Sequence, residues 1–457
     1  MLVAIIPVHS IESAQALMHQ ASGADVFEFR FDFMLKFNLD EIKKLRDETD
    51  KQVLFTLRKS EQGGVYKGKE VERLQLIEKL ITLKPDYFDI EHDVPIEFCK
   101  KLKSIAPTTK LMCSYHNFIH TPDDLPQLLQ QMMNPIFSAY KIITTANSIL
   151  DTLRILDFVK NHNQQITLTA HAMGEVGVTS RILGKILGNY FTYSTVNEEN
   201  IASGLVSLDD FIKIYHYHDL NQYTKIYGLI GDPVSQSIGH IFHNQEFIKH
   251  HQNAVYVKFQ VKPDELALFF KSIQNLAIEG ISVTMPHKQA VLAFCNDATD
   301  DVKAIGAANT LIKTHNGYLA ANTDGDAVVQ ILPAPLKDKK IVILGAGGAA
   351  SSIIYSLKKV GAKLEVFNRT AHPGVLPLET AAHADYDILI NTIPAKYYNQ
   401  NFIRFIPNKI IMDANYQATP TPLIQDAAKH GCICIEGQAM FYAQAQLQRQ
   451  LWFTHNE

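Results

Sequence analysis

Short apolar segments recur through the first 218 residues, at 2–7, 26–31, 52–57, 87–90, 110–115, 139–144, 165–170 and 190–194. Runs of this length, bounded by polar stretches, predict buried strands. Between most of them the apolar positions fall at helical spacing, as over 70–83, 148–160 and 181–188. Eight strands alternating with helices predict an α/β fold closed as a (β/α)8 TIM barrel, which takes about 200–250 residues. An open doubly wound sheet is the other candidate, but it seldom needs eight strands.

Residues 219–225 join this region to the next without a Gly/Ser-rich or Pro-rich tether. Further strands are predicted at 226–230, 255–260 and 281–284. A Pro-containing stretch at 332–335 precedes a strand, Lys340–Leu344, that feeds directly into Gly345-Ala346-Gly347-Gly348-Ala349-Ala350. A helix over 351–360 and a strand over 363–367 follow. A Gly-x-Gly pattern alone is a weak signal. Between a strand and a helix inside a βαβ unit it becomes a dinucleotide fingerprint, because glycines let the backbone approach a pyrophosphate at the helix N-terminus.

The expected organisation is therefore a barrel over 1–218 and a two-lobed unit over 225–457. The second unit divides into 225–331 plus the C-terminal helix, and a Rossmann lobe over 338–439.

Composition changes this picture little. Of 457 residues, 46% are hydrophobic and 20% charged, as in an ordinary globular protein. The net charge of −4 gives no basic patch, so nucleic acid is not the expected partner. No apolar run approaches the roughly 18 residues that span a bilayer, so no membrane partner is expected. The first residues read as a strand rather than an export signal. Five scattered cysteines then suit reduced thiols in a cytoplasm. Cys432 and Cys434 lack zinc-ribbon spacing, the nineteen histidines show no paired ligand spacing, and no metal is expected. Oligomeric state is not legible.

Candidate chemistry stands where the first strands finish. Glu28 and Arg30, two apart, share one face of a strand. Arg58 ends the third strand, His116 follows the fifth, Lys141 lies on the sixth and Arg181 follows the seventh. In a barrel these ends converge on one mouth. A lone Glu–Arg pair serves packing as readily as catalysis, but six such groups on one rim point to a site. A neutral lysine attacks a carbonyl to give an imine, the imine acts as an electron sink, and His116 is the candidate base. Arg30, Arg58 and Arg181 suit an anionic, hydroxylated substrate. An aldolase would use the same logic.

In the second half, Lys288 suits proton donation to a carbonyl as hydride arrives, with Asp324 placing it. Glu365 has the spacing of an acid that binds a ribose 2′-hydroxyl but lies mid-strand. The strand ends at Asn368-Arg369-Thr370, where a cation accommodates a 2′-phosphate, so the expected cofactor is NADP.

Local motifs narrow both readings. Val283-Thr284-Met285-Pro286-His287-Lys288, Ala307-Ala308-Asn309-Thr310, Asn322-Thr323-Asp324-Gly325 and Gly437–Gln444 resemble the shikimate dehydrogenase family over 226–450. The resemblance implies Ser237, Thr284, Asn309 and Gln444 as substrate contacts and Lys288 with Asp324 as the catalytic pair. It implies Asn368, Arg369 and Thr370 as the NADP phosphate clamp, beside Gly345, Ala346, Gly347, Gly348 and Ala349, which the fingerprint already marks as the nucleotide loop. Asn391-Thr392 would line the nicotinamide side.

The first half looks like type I 3-dehydroquinate dehydratase over 1–216. Its motifs are Glu28-x-Arg30-x-Asp32, Thr56-Leu57-Arg58 before Gly63-Gly64, Ser114-Tyr115-His116-Asn117, Lys141, and Met173-Gly174 through Ser180-Arg181. That resemblance implies Lys141 as Schiff-base nucleophile, His116 as general base and acid, and Glu28, Arg30, Arg58 and Arg181 as substrate ligands. Consecutive steps, 3-dehydroquinate to 3-dehydroshikimate to shikimate, would then share one chain, with these small molecules as its partners.

Several positions depart from the family patterns. Gln62 replaces a glutamate that supports the histidine, and is expected to hydrogen-bond His116 without lending it charge. Ile201-Ala202-Ser203-Gly204-Leu205 replaces a loop with two polar ligands, and Gly239 replaces the second serine of Ser-x-Ser. These departures motivate a second reading, a non-catalytic sensor of quinate-like metabolites; a third keeps the chemistry and makes the second unit a quinate dehydrogenase using NAD. The intact Lys141, His116, Lys288 and Asp324 oppose the sensor, and Arg369 opposes the NAD-linked dehydrogenase.

Overall fold

The computed structural model describes residues 1–197, 202–370, 373–416 and 420–454. The chain forms two compact units: 1–225 with 247–261 and 268–277, and 226–246 with 262–267 and 278–457.

The first unit is built on β1 (Leu2–Pro7), β2 (Val26–Arg30), β3 (Gln52–Thr56), β4 (Tyr87–Glu91), β5 (Lys110–His116), β6 (Ala139–Thr145), β7 (Leu168–Met173), β8 (Thr192–Thr195) and β9 (Val206–Ser207). They run parallel, in the order β7-β6-β5-β4-β3-β2-β1-β8-β9. The sheet therefore curls in sequence order, with β7 and β8 at its seam.

No strand ladder joins β7 to β8 among the described residues, so side chains bridge the seam. The Asn189 amide both accepts from and donates to the backbone of Ala170, at 2.8 and 3.0 Å, as a neighbouring peptide would. Thr169 Oγ1 accepts from the Phe191 amide at 3.1 Å, and a ring nitrogen of His171 lies 2.9 Å from the Phe191 carbonyl. The seventh strand consequently starts at Leu168, later than the expected 165. Gln165 and Ile166 instead turn back to the carbonyl of His162.

Along each strand side chains alternate with period two, and the register aligns them in layers. Val26, Leu54, Tyr87, Met112 and Ala139 belong to one buried apolar cluster. Two residues further along the same strands stand Glu28, Thr56, Asp89, Ser114 and Lys141, all buried. The cross-strand partners Thr56↔Asp89 and Ser114↔Lys141 hold this polar layer level. One apolar plug thus supports one charged floor.

In the second unit, β10 (Lys225–Gly231), β12 (Ile278–Val283), β14 (Thr310–Thr314), β15 (Gly317–Ala321) and β13 (Asp297–Ala298) lie side by side in that order. β11 (Ala254–Gln260) belongs to the first unit. The β12–β14 and β14–β15 pairs are antiparallel, so this sheet is mixed. The C-terminal helix, Gly437–Thr454, returns to it, where Trp452 is fully buried and its indole N–H donates to the Leu311 carbonyl at 3.0 Å. Gly280 makes room, since a Cβ there would lie 2.4 Å from that nitrogen.

The third sheet is all parallel: β18 (Leu376–Pro377), β17 (Lys363–Asn368), β16 (Lys340–Leu344), β19 (Ile388–Asn391), β20 (Ile410–Asp413) and β21 (Ile433–Ile435). The chain builds outward from β16 on one side, then returns to β19 on the other. Such a reversal opens a crevice at the carboxyl ends of the strands. No helix among the described residues is long and apolar enough to cross a membrane.

Candidate active sites

The polar floor of the first unit forms a pocket that gathers all six residues expected at the rim: Glu28, Arg30, Arg58, His116, Lys141 and Arg181. Only Glu28, Arg30, His116 and Lys141 lie on strands. Arg58 stands two residues beyond β3, and Arg181 reaches in from the helix Val178–Ile186.

Lys141 Nζ lies 3.2 Å from Asp89 Oδ2, 3.5 Å from Glu28 Oε1, and 4.0 Å from the centre of the Tyr193 ring. Asp89 also accepts from Arg58 Nη2 and from the Ser114 hydroxyl, each at 2.5 Å. Burial alone would raise the Asp89 carboxyl, but Arg58 and Lys141 hold it well below the usual carboxylate range. Glu28 accepts from Thr56 at 2.9 Å. The amine is thus aimed by two carboxylates that are themselves tied down.

The three arginines differ. Arg30 is clamped by Asp32 at 2.8 and 2.7 Å, and Arg58 is spent on Asp89, Ser114 and Glu91. Arg181 has no ion-pair partner among the described residues, and its buried Nε lacks any acceptor. Burial pushes this guanidinium down to about 10, so it remains a cation at neutral pH. A buried unpaired cation is costly unless an anion arrives to offset it.

His116 has an enclosed Nδ1 without a partner, and its ring stacks on Phe118 at 6.2 Å and 11°. Burial, with the Arg58 and Lys141 charges, pushes it well below the usual imidazole value. Gln62 corrects one expectation: its carbonyl accepts from the His116 backbone N–H at 3.0 Å and leaves the ring alone. Gly63 has φ +77°, and a Cβ there would run into Phe118 at 2.2 Å, so this glycine lets Phe118 cover the histidine.

The replaced loop also enters the pocket, through Ala202 and Leu205, whereas Ser203 is exposed. The Ser203 carbonyl takes the Gly174 N–H at 3.3 Å. Ile201 lies outside the described residues. Sequence reasoning missed Asp89 and Tyr193, and quoted Ser114 only within a motif, without a role. The available signal was an acid two residues ahead of Glu91 inside an apolar strand.

In the second unit Lys288 Nζ is 2.5 Å from Asp324 Oδ2. Asn309 donates to Asp324 Oδ1 at 2.8 Å and to Gln444 Oε1 at 3.4 Å, so four expected residues meet. Asn322 accepts from the Asp324 amide at 3.1 Å. No hydrogen bond joins Ser237 or Thr284 to this cluster among the described residues. Ser237 Oγ accepts instead from the Gly239 N–H at 3.2 Å, which uses a lone pair and leaves the hydroxyl proton to donate.

The glycine-rich turn caps β16. Gly345 has φ +108°, and a Cβ there would meet Thr392 Oγ1 at 2.2 Å. Beside Gly347 there is open space, and the helix Gly348–Lys359 begins without a side-chain cap, leaving its first amides to a ligand. A Cβ on Gly348 would lie 4.0 Å from Lys288 Cδ, so the Lys288 side chain borders this turn. Arg369, past the end of β17, is exposed, as is Glu365 within it. Thr392 donates to the Leu344 carbonyl and Asn391 to Asp413. These residues fit a dinucleotide that carries a 2′-phosphate.

Residues 2–222 match the family described as type I 3-dehydroquinase, and residues 229–311 the shikimate dehydrogenase substrate binding domain. The chain is 32% identical to the chloroplastic bifunctional 3-dehydroquinate dehydratase/shikimate dehydrogenase of Arabidopsis thaliana, covering 94% of this chain and 78% of the relative. It is 31% identical to the shikimate biosynthesis protein AroDE of Chlamydia pneumoniae, over 97% and 93%. Half of it, 51%, is 35% identical to the shikimate dehydrogenase (NADP(+)) of Pyrococcus furiosus, covering 92% of that protein.

Proposed function

Because the chain belongs to the family of bifunctional 3-dehydroquinate dehydratase/shikimate dehydrogenases, we propose the following division of labour among its residues. The enzyme dehydrates 3-dehydroquinate to 3-dehydroshikimate and reduces that product to shikimate, with NADP as cofactor. What supports the residue assignment is the meeting of Lys141, His116 and an unpaired Arg181 in one pocket.

Arg181 takes the substrate carboxylate, which supplies the missing counter-charge. Lys141 attacks the ketone as the free amine, and loss of water gives an imine. Asp89 and Glu28 stabilise the cationic iminium that follows. His116, neutral because it is enclosed and flanked by cations, removes the proton next to the iminium carbon. It returns a proton to the departing hydroxyl, which leaves as water. Hydrolysis of the imine frees Lys141. Arg58 acts through Asp89, with its Nη1 and Nη2 turned to Ser114 and Asp89.

In the second unit, bound NADPH supplies the hydride. Lys288 delivers a proton to the carbonyl oxygen, and Asp324 fixes the ammonium with Asn309 and Asn322 behind it. Asn309, Gln444, Ser237 and Thr284 hold the substrate, and the turn Gly345–Ala349 with Asn368, Arg369 and Thr370 holds the dinucleotide. Five unbridged cysteines suit a reducing compartment, and we assign the cytoplasm.

The test is to supply 3-dehydroquinate and NADPH to the purified chain and follow nicotinamide oxidation, which requires both sites in sequence. No oxidation with 3-dehydroquinate or with 3-dehydroshikimate, and no borohydride-trapped adduct, overturns the reading.

The depressed basicity of His116 has its own consequence. The limb of kcat/KM that reports protonation of the base in the free enzyme should lie well below pH 6.5, the usual imidazole value. Dehydration is therefore expected to hold its kcat/KM from pH 7 down through pH 6. A half-maximal loss near 6.5 would contradict the burial argument.

A further inference from the structure

Arg369 and Tyr397 make a contact that no hydrogen bond explains. The Arg369 guanidinium carbon sits 4.2 Å from the centre of the Tyr397 ring, and Lys396 Nζ lies 4.9 Å from the same ring. Tyr397 ends the short 3-10 turn Ala395–Tyr397 that follows β19, whereas Arg369 follows β17. Those strands flank β16 on opposite sides, roughly 10 Å apart at the usual strand spacing. The guanidinium and the ring therefore meet across the carboxyl end of β16, above the turn that begins at Gly345.

Among the described residues Arg369 has no carboxylate partner and no hydrogen-bond acceptor. An exposed arginine with no such partner samples many rotamers, and fixing it costs entropy when a ligand binds. A ring face restrains the guanidinium through its quadrupole and uses none of the five N–H donors. All of them stay available to an incoming oxyanion. Lys396 adds a second cation beside the same ring, also without a carboxylate partner among the described residues.

We propose that Tyr397 is a positioning residue for cofactor selection: it pre-orders Arg369 so that the guanidinium meets a ribose 2′-phosphate. This rests on the reading of Arg369 as the 2′-phosphate ligand. Tyr397 favours NADP over NAD by holding the reader of the one group that distinguishes them.

Calorimetric titration of the full chain with 2′,5′-ADP and with 5′-ADP tests it without turnover. Tyr397→Ala should weaken 2′,5′-ADP about tenfold and 5′-ADP less than twofold. Tyr397→Phe, which keeps the ring face, should stay within twofold of the parent for both. The same split should appear as a raised KM for NADPH with kcat and the KM for NADH unchanged. Equal weakening of both nucleotides by Tyr397→Ala would mean that the ring packs on the adenosine instead, and would overturn the proposal. Unchanged binding of 2′,5′-ADP would overturn it as well. Arg369→Gln separates the premise: if that variant binds 2′,5′-ADP as tightly as the parent, the Arg369 reading fails whatever Tyr397 does.

Discussion

Lys141→Met is expected to abolish dehydration, with kcat falling about 10⁴-fold or more, while shikimate oxidation by the same chain persists. The size follows from the chemistry. Without an amine there is no imine, so the proton next to the ketone must leave with no electron sink, and no neighbouring group substitutes. Covalent steps that depend on one nucleophile lose most of their rate acceleration with it. Methionine keeps the unbranched stem on β6, so the apolar layer of Met112 and Ala139 beneath it stays filled. Asp89 keeps Arg58 as a counter-charge at 2.5 Å, and Glu28 keeps its hydrogen bond from Thr56 at 2.9 Å.

The second unit reports on folding in the same cuvette. Loss of dehydration with shikimate oxidation intact locates the defect in the chemistry of the pocket. Borohydride in the presence of 3-dehydroquinate should add the mass of the reduced adduct to the parent and nothing to the variant. An adduct on the variant, or dehydration within tenfold of the parent, would assign the nucleophile elsewhere.

Much of this pocket was legible because strand periodicity is local. Glu28 and Arg30 share a face whatever surrounds them, and Lys141 stands inside a run of buried positions. What escaped depended on register between strands far apart in sequence. Asp89 reads as an isolated acid until β4 is paired with β3 and β5, and only then does it fall between Arg58 and Lys141. Tyr193 becomes a neighbour of Lys141 only when β8 docks on β1 rather than β7. The manner of closure was hidden for the same reason. A seam held by the Asn189 amide and the side chains of Thr169 and His171 has no signature in hydrophobic spacing.

Gln62 teaches a related lesson. Its identity suggested a weaker partner for the imidazole, yet its carbonyl serves the backbone, and burial with two cations governs His116. In the second unit, Asn309 and Gln444 are 135 residues apart and still meet, because the last helix folds back onto β12 and β14. A C-terminal helix was expected to belong to this unit, but Gln444 was singled out only by motif resemblance.

For the second site, Lys288→Met should lower kcat for 3-dehydroshikimate reduction about 10³-fold and leave dehydration of 3-dehydroquinate intact. Hydride arrival places negative charge on the carbonyl oxygen, and a positioned general acid is worth typically 10²–10⁴ in rate. Here the acid is well positioned. Lys288 is held at 2.5 Å by Asp324, which Asn309 in turn holds at 2.8 Å, and its stem borders Gly348 in the nucleotide turn. The ammonium thus stands beside the helix start that, on the proposed assignment, would hold the dinucleotide, so the proton would be delivered next to the hydride. In the variant Asp324 loses its cation and keeps the hydrogen bond from Asn309, so the substitution also tests how far the carboxylate depends on that cation.

NADPH fluorescence titration separates binding from chemistry. Affinity for the cofactor should change less than threefold, because the glycine turn and Arg369 are untouched. With binding retained, the lost rate belongs to the proton transfer. A variant that reduces 3-dehydroshikimate within tenfold of the parent would show that water protonates the alkoxide unaided, and Lys288 would then be only the counter-ion of Asp324.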